Sequence, residues 1–130
     1  MSIFTRRLIE GKPITIYGDG TQQRSFTWVK DVVKANILAA TNPAAKGEVY
    51  NCASGITVTI QELADMVAEI LGVRNPVVNY ADWQVGDIKV FHIDNSKIKR
   101  ELGLEFLTDF RKGLEMTVEW ARDYFARKRG

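Results

Sequence analysis

Apolar residues recur along this chain with two periods, one typical of helices and one typical of strands. Spacings of three and four residues predict helices over residues 2–10, 30–41, 60–71, 95–102 and 110–125. Short apolar or β-branched runs predict extended segments at 14–17, 24–28, 48–52, 56–58 and 76–80. Residues 81–93 follow neither period and are expected to be irregular, apart from one strand near Val90.

Residue types at the helix ends support several of these boundaries. Thr59 followed by Glu62 predicts a capping box, in which each side chain satisfies the backbone N–H of the other residue. Asp94 is expected to cap the short fourth helix. Either Thr108 or Asp109 is expected to cap the last helix.

The second helix carries an apolar stripe formed by Val29, Val33, Ile37 and Ala40. Stripes of this kind usually face a hydrophobic core, and we interpret this one in the same way. Asp31 lies at the start of the helix, where a carboxylate stabilises unpaired N–H groups and the positive pole. We therefore expect a structural role for Asp31.

The distribution of elements indicates the fold class. No Pro-, Gly- or Ser-rich linker divides the chain, so residues 1–130 are interpreted as a single domain. With 45% hydrophobic residues, the chain can form one ordinary core. The pattern predicts an α+β fold, a small mixed α/β domain with short strands and four to five helices.

Composition narrows the classes of partner. Charged residues make up 26% of the chain, the two signs are interspersed and the formal net charge is +2, so we expect no nucleic-acid-binding surface. The basic run 127–129 is interpreted as complementing the negative pole of a helix. No apolar run approaches the ~20 residues of a membrane span, and the N-terminal residues do not resemble a signal peptide. Cys52 is the single cysteine, so no internal disulfide can form, and a cytoplasmic location is expected.

Known catalytic and metal-binding patterns do not fit this sequence. Gly-Asp-Gly at 18–20 precedes a strand rather than a helix, unlike a dinucleotide-binding loop. Tyr124 and Lys128 have Tyr-x-x-x-Lys spacing, which we interpret as a chance match at a charged helix end. His92, the single histidine, cannot form a metal site with Cys52, which we interpret as an inert core thiol. No catalytic or metal-ligating residue is therefore predicted.

Three stretches share a pattern with a known family. They are IYGDGTQQRSFTWVKDV at 16–32, GEVYNCASG at 47–55, and DWQVGD at 82–87 followed by DNSKI and ELG at 94–98 and 101–103. In this order they resemble the extended short-chain dehydrogenase/reductase family, in particular its NAD-dependent nucleotide-sugar epimerases and dehydratases (UDP-glucose 4-epimerase-like). The resemblance extends over essentially all 130 residues.

The resemblance implies a binding site for a nucleotide sugar. Arg24 matches an arginine that contacts the diphosphate, and the donors of a guanidinium suit paired phosphate oxygens. From spacing alone, Arg24 is also compatible with a strand-surface arginine paired with an acid. Tyr17 matches an aromatic position beside the nucleotide base, although without the resemblance a strand tyrosine would be assigned to the core.

The third stretch contributes the other implied site residues. Residues 86–87 match the end of an Arg-Pro-Gly-Asp motif, whose arginine is a second diphosphate ligand in the family. Gln84 occupies that arginine position and brings hydrogen-bond donors but no charge. Lys89 or Arg74 could supply the charge from nearby. The predicted substrate-binding residues are Tyr17, Arg24, Gln84 and Asp87.

In the family, the catalytic tyrosine and lysine and the NAD-binding loop precede the region matched here. We therefore expect this chain to lack the Rossmann half, to hold no cofactor and to be inactive alone, whereas a full-length parent would bind NAD. The second helix and segment 48–52 normally complete the NAD-binding layer, so we expect contact with a Rossmann domain or self-association as a homodimer. Two alternatives stay open: a stand-alone nucleotide-sugar-binding module and a small protein-interaction domain.

Overall fold

Five α-helices and four short strands make up residues 1–127, the part of the chain that the computed structural model describes. In chain order they are α1 (Ser2–Ile9), β1 (Ile14–Tyr17), β2 (Gln23–Ser25), α2 (Val29–Thr41), β3 (Thr57–Thr59), α3 (Ile60–Leu71), β4 (Val78–Ala81), α4 (Ser96–Leu102) and α5 (Phe110–Arg127), with a 3₁₀ turn at Pro43–Ala45. The prediction of a small mixed fold with short strands and four to five helices is confirmed. The predicted pair Tyr124–Lys128 and the basic run 127–129 extend outside the described residues. No helix within residues 1–127 is long and apolar enough to cross a bilayer.

Two pairs of strands join distant parts of the chain. β1 pairs with β4 in parallel, with Ile14 opposite Val78 and Tyr17 opposite Ala81. β2 pairs with β3 in antiparallel orientation. Because parallel strands end on the same side of a sheet, the loops after Tyr17 and Ala81 begin next to each other.

The larger buried cluster packs α1, α3 and α5 against β1. Ile14 and Ile16 of β1 are at most 1% exposed, and they alternate with Thr15 and Tyr17 along the strand. Burial of each large apolar side chain stabilises the fold by roughly 1.5–3 kcal/mol. The cluster consists of Phe4, Leu8, Ile14, Ile16, Leu63, Ala64, Val67, Ala68, Leu114 and Val118. It fixes the position of β1, from which the candidate site is built.

A second, smaller cluster lies between α2 and α4. α2 contributes Ala35, which is 5% exposed, and α4 contributes Ile98 and Leu102. Leu104, just after α4, completes the cluster and is fully buried. α2 therefore contacts α4 through the side that carries Ala35.

The opposite side of α2 is exposed, so the interpretation of its apolar stripe as core is wrong within the described residues. Val29, Val33 and Ile37 are 60, 51 and 58% exposed, and Ala40 is also exposed. A helix on the surface of a small fold buries only one of its faces, and in α2 the buried face is the one that carries Ala35. We call Val29, Val33, Ile37 and Ala40 the outer face of α2.

Side-chain caps form at the starts of α3 and α5, as predicted. Thr59 Oγ1 accepts a hydrogen bond from the Glu62 N–H at 3.0 Å, and Glu62 Oε2 accepts one from the Thr59 N–H at 2.8 Å, which confirms the capping box. Of the two candidates for α5, Asp109 is the cap, because its Oδ1 accepts from the Lys112 N–H at 3.1 Å. Thr108 is not needed for this role.

Two acidic residues lie near other helix starts. Asp94 Oδ1 accepts from the Ser96 N–H at 2.9 Å, although the N-cap position of α4 is Asn95. Asp31 lies in the first turn of α2 and is 8% exposed, and its structural role stays a prediction. The N-cap position of α2 is Trp28, which makes no side-chain cap bond.

Residues 48–52 are irregular, so the predicted strand there is wrong. Val49 is 83% exposed, and its carbonyl accepts a hydrogen bond from the Lys97 ammonium at 3.1 Å. The Asn51 amide donates to the Asp94 carbonyl at 3.1 Å. This segment therefore bonds to residues around α4 instead of a neighbouring strand, and β propensity alone cannot supply such a neighbour.

β2, which lies beside the candidate site, is also shorter than predicted. β2 ends at Ser25, before the predicted end at Trp28, and the described residues near Val90 form no strand. One backbone hydrogen bond joins this region to β2, from the Gln23 N–H to the Lys89 carbonyl at 2.8 Å. The other bonds between the two segments come from the Arg24 side chain, so no ladder forms.

Candidate ligand-binding site

The four residues that the resemblance assigns to substrate binding lie in one cleft. Tyr17 and Arg24 come from β1 and β2, whereas Gln84 and Asp87 come from the loop after β4. The cleft has a volume of about 370 Å³, within the usual range of small-molecule sites. Its other lining residues are Met1, Ile3, Phe4, Arg7, Thr15, Ile16, Gln22 and Ile60. The binding role of the four residues stays a prediction, whereas their proximity is a property of the fold.

The cleft begins where two segments leave the β1–β4 pair side by side. Tyr17 is the last residue of β1, and the Gly18 N–H donates to the Ala81 carbonyl at 2.8 Å, which extends the pairing by one step. The Tyr17 side chain is 45% exposed. A half-exposed aromatic ring at a strand end offers a face for stacking, so Tyr17 is not a core residue.

Arg24 is held by the loop on the opposite wall of the cleft. Its Nη1 donates to the Ile88 carbonyl at 2.6 Å and to the Gln23 carbonyl at 2.7 Å, and its Nη2 is paired with the Asp87 carboxylate. The side chains of Arg24 and Asp87 are 29 and 27% exposed, so water shields this pair only partly. The contacts within residues 1–127 leave Nε and one Nη2 proton of Arg24 for a ligand. Arg24 is thus paired with an acid and also lines the cleft.

Trp83 shapes the loop that carries Gln84 and Asp87. Its ring lies on Gly18, where an added Cβ would come within 2.0 Å of the Trp83 Cε3 atom. Gly18 also has a φ of +74°, which side chains with a Cβ rarely adopt. Beyond Trp83 the chain turns back, because the Asp87 N–H donates to the Gln84 carbonyl at 3.1 Å. This turn brings both residues into the cleft.

Gln22 is a cleft residue that sequence reasoning misses. Its side chain is 4% exposed, and Nε2 donates to the Tyr17 carbonyl at 2.7 Å. Its Oε1 is buried and has no hydrogen-bond partner among the described residues. Buried polar atoms are almost always paired, so this acceptor is a signal that only the folded structure can supply.

Arg7 is the second cleft residue that the sequence does not identify. It lies in the last turn of α1, where a basic residue is expected simply to complement the helix pole. Its Nε donates to the Pro13 carbonyl, and its side chain lines the cleft. With Arg7 and Arg24 against Asp87, the lining carries a net positive charge, which favours an anionic ligand.

The two cations considered as substitutes for an arginine at position 84 do not line the cleft. Lys89 Nζ lies 4.0 Å from Asp19 Oδ2, and both side chains are at least 60% exposed, so this pair contributes little. The Thr21 hydroxyl and N–H bond to Asp19 and hold the pKa of its carboxyl below the usual value. Arg74 is likewise absent from the lining, so Arg7 is the additional cation beside Arg24.

A separate cavity lies between aromatic residues of the second strand region and α5. It is lined in part by Phe26, Trp28 and Phe110 and has a volume of about 60 Å³. This cavity is much smaller than the cleft of about 370 Å³, so the cleft is the candidate site.

Dinucleotide and metal sites do not fit the described residues. The turn at 18–20 leads into β2, so no helix N-terminus is placed to receive a pyrophosphate there. Within residues 1–127, no group of three His, Cys, Asp or Glu residues could hold a metal ion. Burial, and to a smaller extent the Asp31 charge, raises the pKa of the half-buried Cys52 thiol, which keeps it protonated near neutral pH.

Known proteins share the sequence pattern of this chain. Residues 1–53 match the sequence profile of the NAD dependent epimerase/dehydratase family. A dTDP-glucose 4,6-dehydratase from Streptomyces niveus is 32% identical over 121 residues, which cover 93% of this chain and 36% of that protein. The resemblance noted from the three motifs is thereby confirmed at the level of the family.

Solved structures share the fold. A UDP-glucose 4-epimerase from Thermotoga maritima, determined with UDP-glucose, matches with a TM-score of 0.83 at 35% identity, over 95% of this chain and 39% of that one. A dTDP-glucose 4,6-dehydratase from Streptomyces venezuelae with NAD bound matches with a TM-score of 0.88 at 29% identity, over 95% of this chain and 38% of that one. This chain therefore spans less than two fifths of the length of these proteins.

Proposed function

We propose that this chain is the nucleotide-sugar-binding portion of an enzyme of the NAD-dependent epimerase/dehydratase family, within the extended short-chain dehydrogenases/reductases. On this proposal, residues 1–130 form one C-terminal domain that binds and orients the substrate. Hydride exchange with NAD belongs to a Rossmann half outside these residues. A cytoplasmic location is part of the proposal.

The observation that carries the proposal is the convergence of the predicted residues in one cleft. Arg24 and Asp87 are 63 positions apart and pair across it. We assign the Tyr17 ring to the base, and the free donors of Arg24 to the diphosphate. Asp87 is a positioning residue, because it holds Arg24. The Gln84 amide donates to a phosphate oxygen.

Arg7 is proposed to supply the positive charge that Gln84 lacks. Its guanidinium is anchored through Nε to the Pro13 carbonyl, which leaves the Nη donors for a ligand. A cation on the wall formed by α1 attracts a diphosphate even without direct contact, and salt weakens that attraction. The expected consequence is nucleotide binding that falls as ionic strength rises.

The class of ligand is inferred from the relatives. Those described above are named for dTDP-glucose and UDP-glucose, so we propose a thymidine or uridine diphosphate sugar. Contacts to the sugar ring are shared with the Rossmann half on this proposal. NAD is the cofactor of the whole enzyme and is bound by that half.

The outer face of α2 is proposed to dock on the Rossmann half. Its side chains Val29, Val33 and Ile37 are 51–60% exposed, and contiguous apolar surface of this kind marks an interaction site. α2 lies within residues 1–53, the part that matches the family profile, whereas the chain spans only 36–39% of its relatives. On this proposal, the Rossmann half lies in the remaining length of such a protein and covers the outer face of α2. A second copy of this chain is the competing occupant.

An NMR titration of the isotope-labelled chain tests the proposed function. UDP, dTDP, UDP-glucose and NAD are added separately, and backbone amide shifts are followed. We expect UDP or dTDP to shift amides at Tyr17, Arg24 and Gln84, and NAD to leave them in place. Arg24→Met should weaken binding, whereas Lys46→Met removes an exposed cation outside the cleft and should not.

The titration has two outcomes that contradict the proposal. Shifts that cluster outside the cleft would move the site elsewhere on the chain. No shift with any diphosphate, at concentrations well above those of cellular nucleotides, would favour a protein-interaction domain. In that case the search turns to partners of the outer face of α2.

A further inference from the structure

Two aromatic side chains of α5 are exposed and have no part in the proposed function. Trp120 is 61% exposed and Tyr124 is 38% exposed. Together with Asp123 and Arg127 they line a surface cleft of about 330 Å³, which we call the α5 cleft. Its volume lies within the usual range of small-molecule sites, and it shares no lining residue with the candidate ligand-binding site. The α5 cleft is therefore a separate feature of the surface.

The aromatic rings of the α5 cleft support one another. The ring centroids of Trp120 and Tyr124 are 5.1 Å apart and their planes differ by 19°, so the two rings are stacked. Tyr124 also meets the half-buried Phe125 edge-on, with the centroids 5.3 Å apart and the planes at 77°. These contacts hold the Trp120 ring in place while much of it stays open to solvent. A ligand that stacks on this ring therefore meets a pre-organised surface.

The charged groups of the α5 cleft are unpaired. Asp123 and Arg127 are four positions apart on α5, but neither side chain forms a hydrogen bond or an ion pair with any residue in 1–127. The Asp123 carboxylate oxygens accept hydrogen bonds, whereas the Arg127 guanidinium only donates them. The two charges are opposite, so the α5 cleft does not favour a ligand with a net charge of either sign.

We propose that the α5 cleft binds the pyranose ring of a sugar. A pyranose has flat faces of C–H bonds, whose partial positive charge suits the negative face of the Trp120 ring. Its rim carries hydroxyl groups, each of which both donates and accepts hydrogen bonds. These hydroxyls donate to Asp123 and accept from Arg127 at the same time. The site goes beyond the proposed function, because it needs no nucleotide.

Other classes of ligand suit the α5 cleft less well. An apolar protein surface would pack on Trp120 but would remove water from Asp123 and Arg127 without replacing their hydrogen bonds, which is unfavourable. A nucleoside diphosphate would be attracted by Arg127 but repelled by Asp123. An uncharged ligand with an apolar face and a rim of hydroxyls satisfies the aromatic ring and both charged groups.

An NMR titration of the isotope-labelled full chain with methyl β-glucopyranoside tests the proposal. This probe has a flat pyranose ring and no nucleotide. We expect it to shift the Trp120 indole signal and the amides of residues 120–127, and to leave the Tyr17 and Arg24 amides in place. Sorbitol has similar hydroxyl groups but no ring, and should shift none of these signals.

A second titration identifies the source of the sugar ring. Cellotetraose presents the same ring within a chain. Tighter binding of cellotetraose than of the glucoside would assign the α5 cleft to a glycan, whereas equal binding would assign it to a free sugar.

Three variants at exposed positions of α5 test the contacts. Trp120→Leu keeps an apolar side chain but removes the aromatic face, and should weaken binding of the glucoside roughly tenfold. Asp123→Ala removes the carboxylate acceptor and should weaken binding as well. Glu119→Ala is the matched control, because it removes a neighbouring carboxylate that does not line the α5 cleft, and binding should match the wild-type chain.

Several results would overturn the proposal. Unchanged binding in Trp120→Leu would show that the ring makes no contact with the sugar. Shifts that fall in the candidate ligand-binding site instead of the α5 cleft would place the sugar elsewhere, and no shift at the highest soluble concentration of the glucoside would exclude the site. Shifts at Tyr17 with UDP but none at Trp120 with the glucoside would end this proposal and leave the proposed function intact.

Discussion

The Trp83 ring lies against Gly18, so the loop after β4 packs on the turn after β1. An added Cβ at position 18 would come within 2.0 Å of the ring, and Gly18 has a φ of +74°. Trp83 is followed directly by Gln84, so the same contact positions one wall of the cleft. Gly18 is not one of the predicted substrate-binding residues, but its contact with Trp83 positions two of them, Gln84 and Asp87.

Gly18→Ala should unfold more easily and displace Trp83. A side chain with a Cβ at positive φ costs roughly 1–2 kcal/mol, and the clash with the ring adds to that cost. Gly47→Ala is the matched control, because Gly47 has a φ of +76° and open space around it. Urea denaturation should show the larger loss for Gly18→Ala, and NMR should show a shifted Trp83 indole signal in that variant alone. An equal loss of unfolding free energy in both variants would mean that the Trp83 ring moves away from the new methyl group without destabilising the fold.

Gln84→Arg should strengthen the binding of UDP. The change places a guanidinium where the family pattern has one, and a charge-assisted hydrogen bond at a partly exposed site corresponds to roughly a tenfold gain in affinity. The salt dependence of binding should also become steeper, because an additional cation contacts the diphosphate. Calorimetry at two or more salt concentrations measures both effects.

Val85→Arg is the control for that gain. It adds the same charge one residue further on, at a fully exposed position that does not line the cleft. A similar gain in both variants would show that general charge, rather than a contact at position 84, strengthens binding. Unchanged affinity in Gln84→Arg would remove position 84 from the proposed site.

Thr59→Ala should destabilise the chain by about 1 kcal/mol, the usual effect of losing a threonine N-cap. The Thr59 hydroxyl is the acceptor for the Glu62 N–H at the start of α3. Thr59→Ser keeps a hydroxyl and should recover most of the loss. Urea denaturation at neutral pH checks both variants. A loss well below that of other N-caps would show that α3 is held by its packing alone.

The contribution of Glu62 to stability should depend on pH. Hydrogen bonds from the Thr59 N–H and hydroxyl lower the pKa of Glu62 below its ordinary value of 4.5. A lowered pKa in the folded chain means that the stabilisation is present above that ordinary value and is lost as the pH falls through the lowered one. The wild-type advantage over Glu62→Gln in unfolding free energy should shrink over that interval. Glu119→Gln, on the exposed side of α5, controls for the loss of one charge.

The isolated chain should self-associate through the outer face of α2. Val33 is 51% exposed in the middle of this face, so Val33→Glu should reduce the association without weakening the fold. Val77→Glu makes the same substitution at a position that is 62% exposed and lies outside α2, and it is the control. Sedimentation velocity over a range of concentrations measures the effect. A compact monomer at every concentration in the wild-type chain would contradict self-association.

Local signals in the sequence located the helices well, because a cap needs only residues a few positions apart. The pair Thr59–Glu62 and the cap Asp109 are examples. The strand predicted at 48–52 fails for the opposite reason. Its alternating residues suit a strand, but a strand exists only where another chain segment offers its N–H and C=O groups. At this place the Lys97 side chain donates to the Val49 carbonyl and the Asn51 side chain donates to the Asp94 carbonyl, so no second strand pairs with the segment.

The candidate site is predictable only in part. Tyr17, Arg24 and Asp87 follow from the family pattern, since spacing alone leaves Arg24 compatible with any surface arginine. Gln22 is invisible in the sequence, because its significance lies in an acceptor that burial leaves unpaired. Arg7 resembles an ordinary basic residue in the last turn of a helix until the fold places it in the cleft.

The parallel pairing of β1 with β4 has a consequence for synthesis. The two strands are separated by α2 and α3, so β1 leaves the ribosome long before its partner. Elements with local contacts such as α3 can form early, whereas a pairing between such distant segments forms late. Until then Ile14 and Ile16 lack the neighbour that lies beside them in the folded chain. Because the cleft begins at the end of this strand pair, we expect it to form late in folding.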